Sequence, residues 1–183
     1  MKAILIILNV FIFNTLIIAQ KKSVEQFINA HRATGMSEKV NLTLSGWLVR
    51  TGYRLIEKKE DLEGLDLEPI VEGIRKLRIH VLEPAEGTDK KDAIAQKARF
   101  QAVQTLLSDL RNDHFEDLAT VRDAKSRVNV LVREKEGLIE DIMILVHEAA
   151  DDTVLLQISG KFRLEDIAKI IEKQVHKQVV NCE

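Results

Sequence analysis

The segment from Val154 to Ile171 contains the one residue pair whose order suggests phosphate chemistry, Gly160 and Lys161. A phosphate-binding loop has the pattern G-x-x-x-x-G-K-[ST] between a strand and a helix, because consecutive backbone N–H groups must surround the phosphate. Here the earlier glycine is missing, and Phe162 stands where the hydroxyl residue belongs. We therefore interpret Gly160 as a structural corner, where the chain leaves a strand at a backbone angle that other residues avoid.

Metal-binding patterns are also missing from the sequence. The histidines are scattered, and none of them has a second histidine four residues away, the spacing of a helical metal motif. They are His31, His80, His114, His147 and His176. The acidic stretch that begins at Glu148 lacks the alternating oxygen ligands and the closing glutamate of a calcium loop. The sequence predicts neither a metal nor a cofactor.

Two serines near strand ends, Ser45 and Ser159, are the candidates for a catalytic nucleophile. Neither has the glycine two positions earlier that a nucleophile elbow requires. The carboxylates are numerous, but a general acid needs a pKa raised by burial or by a neighbouring charge, which spacing does not reveal. We assign no catalytic residue and expect a protein that is not an enzyme, with an envelope hydrolase as the alternative.

The N-terminus has the layout of a secretory signal peptide. Lys2 precedes an apolar run from Ala3 to Ile18, and Ala19 is a suitable residue before the cleavage site. The run is short for the hydrocarbon core of a bilayer and contains polar residues. We predict a cleaved signal peptide over residues 1–19, a single domain over residues 20–183, a periplasmic or secreted location and no stable membrane span after cleavage.

Charge and cysteine content exclude further classes. With 27 basic and 29 acidic residues the formal net charge is −2, and no basic stripe is present, so we expect no nucleic-acid partner. Cys182 is the only cysteine, so no internal disulfide forms and the folded state depends on its hydrophobic core.

The elements that must position any site follow from hydrophobic periodicity. The early part of the chain predicts a short helix over Ser23–His31, a strand around Leu42, a helix after Ser45, a helix capped by Asp66 and a strand around Ile79. From Asp92 to about Leu110, apolar residues recur at helical spacing and predict the longest helix.

From Phe115 onward the period changes to two, which predicts strands. The last three are joined by a tight turn at Glu136-Gly137 and a looser one before Thr153. Short connections require antiparallel pairing. The fold class is therefore α+β, an antiparallel β-meander sheet with helices packed mainly on one face.

Both faces of this predicted sheet carry apolar side chains. We expect the face with Val128, Val130 and Val132 to be covered by helices, including the last helix with Ile171 and Val175. The opposite face is less polar than a solvated antiparallel face should be. Its apolar members are Leu131, Ile139, Met143, Leu145 and Leu155. They form either a contact face for a partner or a surface that an early helix or the N-terminal segment covers.

The order of these elements resembles a bacterial family, domain of unknown function 4252. The stretches that carry the resemblance are "VNLTLSGWLVR", "GIRKLRIHVLE" and "RVNVLVREKEGLIEDIMILVHEAADDTVLLQISGKFRLEDIAKII". The resemblance implies a small exported protein and supplies no catalytic residues. We expect a non-enzymatic binding or interaction module of the cell envelope that binds an unknown protein or an apolar ligand. A structural subunit of a homo-oligomer is a further alternative.

Overall fold

The computed structural model describes residues 22–56, 67–85, 92–122, 126–148 and 151–169. The predicted signal peptide and the predicted helix beyond Lys169 lie outside these residues. Among the described residues, no helix is both long enough and apolar enough to cross a membrane.

Helices and strands occur in the order that hydrophobic periodicity predicts. The helices are α1 (residues 22–32), α2 (Gly46–Ile56), α3 (Glu68–Gly73), α4 (Ala93–Asn112) and α5, which begins at residue 164. The strands are β1 (Met36–Ser45), β2 (Ile74–Pro84), β3 (Glu116–Arg122), β4 (Ser126–Lys135), β5 (Leu138–Glu148) and β6 (Thr153–Phe162).

All six strands form one antiparallel sheet in the order β1-β2-β6-β5-β4-β3. The last four strands are a meander, and β1 and β2 add to its β6 edge. The predicted α+β class with an antiparallel sheet is therefore confirmed.

Local sequence signals explain the start of α4 and the β4–β5 hairpin. Asp92 caps α4, because its carboxylate accepts hydrogen bonds from the backbone nitrogens of Ile94 and Ala95. The hairpin turn uses Glu136 and Gly137, both with positive φ, as a type I′ turn requires. These signals are local, so the sequence alone was enough to predict both features.

The main core lies between one sheet face and helices α1 and α4. Val24 and Phe27 of α1 join Leu106 and Leu110 of α4 in one buried cluster. On the sheet side, Leu131, Met143, Leu145 and Leu155 belong to the same cluster and have no exposed surface. The contact face predicted from these residues is thus corrected: early helices cover it, as the alternative interpretation held.

Ile139 does not belong to that face. A bulge between Ile139 and Asp141 shifts the alternation of β5 by one residue. Ile139 therefore packs with Val132, Ile142 and Phe162 on the opposite side of the sheet. Grouping it with Met143 was wrong, because strict alternation in the sequence does not reveal a bulge.

The opposite side of the sheet, which we call the aliphatic face, has three rows of aliphatic side chains that run across the strands. One row is entirely valine: Val40, Val81, Val154, Val146, Val128 and Val121. The next contains Leu42, Ile79, Leu156, Ile144, Val130 and Ala119. The third contains Leu44, Leu77, Ile158, Ile142 and Val132.

Among the described residues, helices α2, α3 and α5 cover one end of the aliphatic face. Val49 of α2, Ile70 of α3 and Ile167 of α5 pack around the third row. In the valine row, Val40 and Val121 remain 40% and 61% exposed. The predicted helix cover of this face is therefore wrong for α1 and α4, which pack on the other face, and is correct at the end that α2, α3 and α5 contact.

Gly160 has a different role from the predicted corner. It lies inside β6, its φ is not among the positive values, and the chain reaches Phe162 before the strand ends. A β-carbon at Gly160 would lie 2.3 Å from the carbonyl oxygen of Gly73 and 2.4 Å from the ring of Phe162. The glycine is needed for close approach of α3 to β6 and not for a special backbone angle.

Candidate functional site

A cleft of about 490 Å³ lies beside α1, where this helix crosses strands β1, β2 and β6. Its volume falls within the range of small-molecule sites. The lining residues are mostly polar: Val24, Glu25, Ile28, Asn29, Arg32, Glu38, Asn41, Thr43, Arg78, His80 and Gln157.

Strand register brings the polar groups of the cleft floor together. Asn41 pairs with His80 across the β1–β2 ladder, and Thr43 pairs with Arg78. Arg78 in turn pairs with Gln157 of β6. Residues two apart on a strand share a face, so the polar side chains of three strands meet on one surface.

A bulge in β1 adds Glu38 to this group. The register shifts between Glu38 and Val40, which leaves one additional residue, Lys39, on the β1 side. Without the bulge Glu38 would share the aliphatic face with Val40. The shift turns its carboxylate toward the cleft, a common use of bulges near binding sites.

Glu38 connects the helix and strand walls of the cleft. Its Oε2 accepts a hydrogen bond from Arg32 at 2.5 Å, and its Oε1 lies 2.8 Å from Nδ1 of His80. The side chains of Glu38 and His80 are only 9% and 10% exposed, so solvent screens this pair weakly. The Arg32–Glu38–His80 chain therefore holds α1, β1 and β2 in fixed positions.

Other polar groups of the cleft have no protein partner in the described part of the chain. Asn29, Asn41 and Thr43 are exposed and make no side-chain hydrogen bond there. Within the same residues, the half-buried Arg78 has one contact, 3.5 Å from Nη1 to Oε1 of Gln157. Amide, hydroxyl and guanidinium groups are thus available to a ligand.

The Glu38–His80 pair resembles the base-and-orienter half of a catalytic triad. The described residues offer His80 no serine, threonine or cysteine as a hydrogen-bonded nucleophile. Thr43 carries a hydroxyl group on this face of β1, but it pairs with Arg78 and not with His80. The arrangement can bind and orient a ligand, but it does not assemble an activated nucleophile.

A second polar cluster is buried around His31, in the last turn of α1. His31 Nδ1 lies 3.0 Å from the Phe27 carbonyl oxygen, and His147 Nδ1 lies 3.0 Å from Thr153 Oγ1. Arg99 of α4 donates to the backbone carbonyl of Thr34 at 2.9 Å and to its hydroxyl at 3.2 Å. The Arg99 bonds attach α4 to the turn before β1, whereas the two histidine bonds lie within α1 and between β5 and β6.

Burial keeps both histidines of this cluster neutral. Desolvation, with smaller contributions from His147 and Arg99, lowers the pKa of His31 to about 4. Burial and the nearby Arg99 also lower the pKa of His147. No group of three potential metal ligands occurs among the described residues. We therefore regard the cluster as structural.

The cleft residues were not selected by sequence reasoning. In the sequence His80 is one of five scattered histidines, and no pattern links it to Glu38 or Asn41. The available signal was weak: polar residues alternate with aliphatic ones on both β1 and β2. Their convergence depends on a bulge and on strand pairing over long sequence separations, which periodicity does not define.

Fold and site define a class of protein: a small α+β domain with an open antiparallel sheet, a polar cleft and no assembled catalytic centre in its described residues. A family comparison is more specific. The chain belongs to the family described as Domain of unknown function (DUF4252), which matches residues 36–170. No curated protein and no solved structure matches the chain.

Proposed function

We propose that this protein is an exported, non-enzymatic binding module of the bacterial cell envelope, and that it binds a small polar molecule in the cleft beside α1. The observation that supports this most is the meeting of Asn29, Asn41, Thr43 and Arg78 around a volume of about 490 Å³. Polar groups that are fixed on strands and on a helix and have no protein partner are what a preorganised site requires.

Binding is favoured over catalysis by the way in which the charged groups are used. Glu38 accepts from Arg32 and faces His80, so its two oxygens are already occupied. The other polar groups of the lining are neutral amides, a hydroxyl, Arg78 and the Glu25 carboxylate of α1. Nδ1 of His80 contacts Glu38 and not Glu25, so these groups fix and orient a ligand.

Export is supported by the sequence of the first 19 residues, with Lys2, the apolar run and Ala19 in the order of a signal peptide. We expect the mature protein recovered from its native organism to begin at Gln20. Intact mass and N-terminal sequencing check this, and a mature chain that retains Met1 would contradict export with cleavage.

A blocked cleft tests the binding function. Thr43→Trp places an indole in the cleft, whereas Leu42→Trp places the same group on the aliphatic face of the same strand. Melting temperatures are measured for the mature protein with a library of small polar metabolites. We expect a ligand at about 100 times its Kd to raise the melting temperature by roughly 5–10 °C in wild type and Leu42→Trp.

The same ligand should not stabilise Thr43→Trp. If it stabilises both variants equally, it binds outside the cleft and the proposal is wrong. A library without any stabilising compound would also count against the proposal.

The Glu38–His80 bond favours one second candidate, a hydrolase of the envelope in which His80 activates water. It predicts turnover in a broad hydrolase screen that His80→Asn abolishes at a temperature where unfolding curves show the variant to be still folded. The binding function predicts no turnover in wild type.

A further inference from the structure

We propose that the ligand of the cleft is a small carboxylate that also carries hydroxyl groups, with the Arg78 guanidinium as its anchor. This inference rests on the proposed binding function and specifies the chemistry of its ligand. It follows from how the charges of the cleft are already paired.

Two arginines line the cleft, and only one of them is neutralised by a carboxylate. Arg32 is bound to Glu38 at 2.5 Å. Arg78 has no carboxylate partner among the described residues, and its one contact is the 3.5 Å approach to the Gln157 amide oxygen. A guanidinium presents a planar fork of donors that matches the two oxygens of a carboxylate.

The groups around Arg78 are suited to hydroxyls. Thr43 lies directly across the β1–β2 ladder from Arg78, and Asn41 lies two residues along the same strand. Directly opposed residues on antiparallel strands are about 5 Å apart, so one small molecule reaches both Arg78 and Thr43. The Asn41 carboxamide both donates and accepts hydrogen bonds, so it can pair with a sugar hydroxyl, which also does both.

The other charges of the cleft argue against a more highly charged anion. The Glu38 carboxylate lies in the same wall, with one arginine and His80 as its partners, and Glu25 of α1 adds a second carboxylate to the lining. A phosphate dianion would meet this negative charge with only one unpaired arginine to offset it. A single carboxylate on an otherwise neutral polar molecule fits the charge distribution better.

The test is a titration of the mature chain followed by backbone amide NMR, with glucuronate as the probe. Glucose provides the hydroxyls without the carboxylate, and acetate provides the carboxylate without the hydroxyls. We expect glucuronate to shift the amide resonances of Asn41 and Thr43, with a Kd at least about tenfold lower than that of either control.

Two arginine variants distinguish a specific bond between Arg78 and the ligand carboxylate from a general effect of positive charge on the protein. Arg78→Gln keeps a polar side chain at a half-buried position and should weaken glucuronate about tenfold or more, while glucose is unaffected. Arg122→Gln is the matched control, because Arg122 is exposed on β3 at the opposite edge of the sheet. It should bind glucuronate as wild type does.

Asn41→Asp keeps the fold, because the position is exposed, and should weaken glucuronate binding because the new carboxylate repels that of the ligand.

If glucose and glucuronate bind the cleft equally and Arg78→Gln changes the affinity of neither, the anchor is overturned while the cleft remains a binding site. If no probe shifts the cleft resonances, the ligand class is overturned, and the melting experiment with Thr43→Trp decides separately on the binding function.

Discussion

Glu38 on the edge strand β1 and His80 on β2 lie 2.8 Å apart, with both side chains almost completely buried in the wall of the cleft. They come into contact because a bulge at Lys39 turns Glu38 away from the aliphatic face. The same carboxylate holds Arg32 of α1. One residue thus determines how the helix wall and the strand wall of the cleft are placed.

Removal of this carboxylate should destabilise the domain. Glu38→Ala leaves His80 buried without its partner, and we expect the free energy of unfolding to fall by about 1–3 kcal/mol. Urea denaturation of the variant and of wild type measures this change in the free energy of unfolding. Glu116→Ala, an exposed carboxylate on β3, is the control and should change stability by less than about 0.5 kcal/mol. Equal effects of the two changes would contradict the structural role of Glu38.

Two glycine substitutions should have effects of opposite sign. Gly160→Ala places a β-carbon 2.3 Å from the Gly73 carbonyl oxygen and should destabilise the protein by about 1–3 kcal/mol. Gly52→Ala lies in helix α2 with no atom within 4 Å of the new methyl group, so it should stabilise by roughly 0.5–1 kcal/mol. Lys161→Ala, at an exposed position, should have almost no effect. Thermal unfolding of the three variants checks this, and a neutral Gly160→Ala would show that α3 and β6 separate easily.

Stability should fall as the pH decreases from about 6.5 toward 4. Burial lowers the pKa of His31 to about 4 in the folded state, whereas an unfolded histidine has a pKa of about 6.5. The unfolded chain therefore binds a proton first, and each pH unit in this window costs up to about 1.4 kcal/mol from His31. Above pH 6.5 this contribution is constant.

The slope is measured by urea unfolding at several pH values. His31→Gln should flatten this slope, and the difference from wild type separates His31 from the carboxylates and from His147, whose lowered pKa contributes in the same direction. His114→Asn, an exposed position with positive φ that asparagine accepts, should keep the wild-type slope. An unchanged slope in His31→Gln would contradict the assignment of this pH dependence to His31.

The open part of the aliphatic face provides a test of the predicted last helix and of the homo-oligomer alternative. The sequence predicts that α5 continues beyond Lys169 with Ile171 and Val175 on its apolar side. We expect this predicted helix to cover the part of the aliphatic face that α2, α3 and the described part of α5 leave exposed. We predict a monomeric mature chain that self-associates when residues 170–183 are deleted, as measured by light scattering. A full-length dimer that Val81→Asp dissociates would instead support the oligomer.

Much of the fold could be predicted because its signals are local. Helix α4 follows from its apolar spacing and the Asp92 cap, and the β4–β5 hairpin follows from Glu136-Gly137. The face that α4 covers could not be predicted, since both faces carry apolar residues. The main core uses Leu131, Leu145 and Met143, and the valine row faces the other way. Sequence alternation gives two faces without indicating which one the helices cover.

The cleft depends on relationships that have no local signal. The bulge at Lys39 reverses the face of Glu38, and the bulge near Ile139 moved a predicted contact residue to the other side of the sheet. Arg78 meets Gln157 across a separation of 79 residues. Such contacts can be predicted only when the strand order β1-β2-β6 is known.

The most direct test of the binding function is a crystal structure of the mature protein purified from the organism that makes it, without exposure to added small molecules. We predict an ordered polar molecule in the cleft, in hydrogen-bonding distance of Asn41, Thr43 and Arg78. A cleft that contains only water, or a retained molecule bound at another surface, would contradict the account.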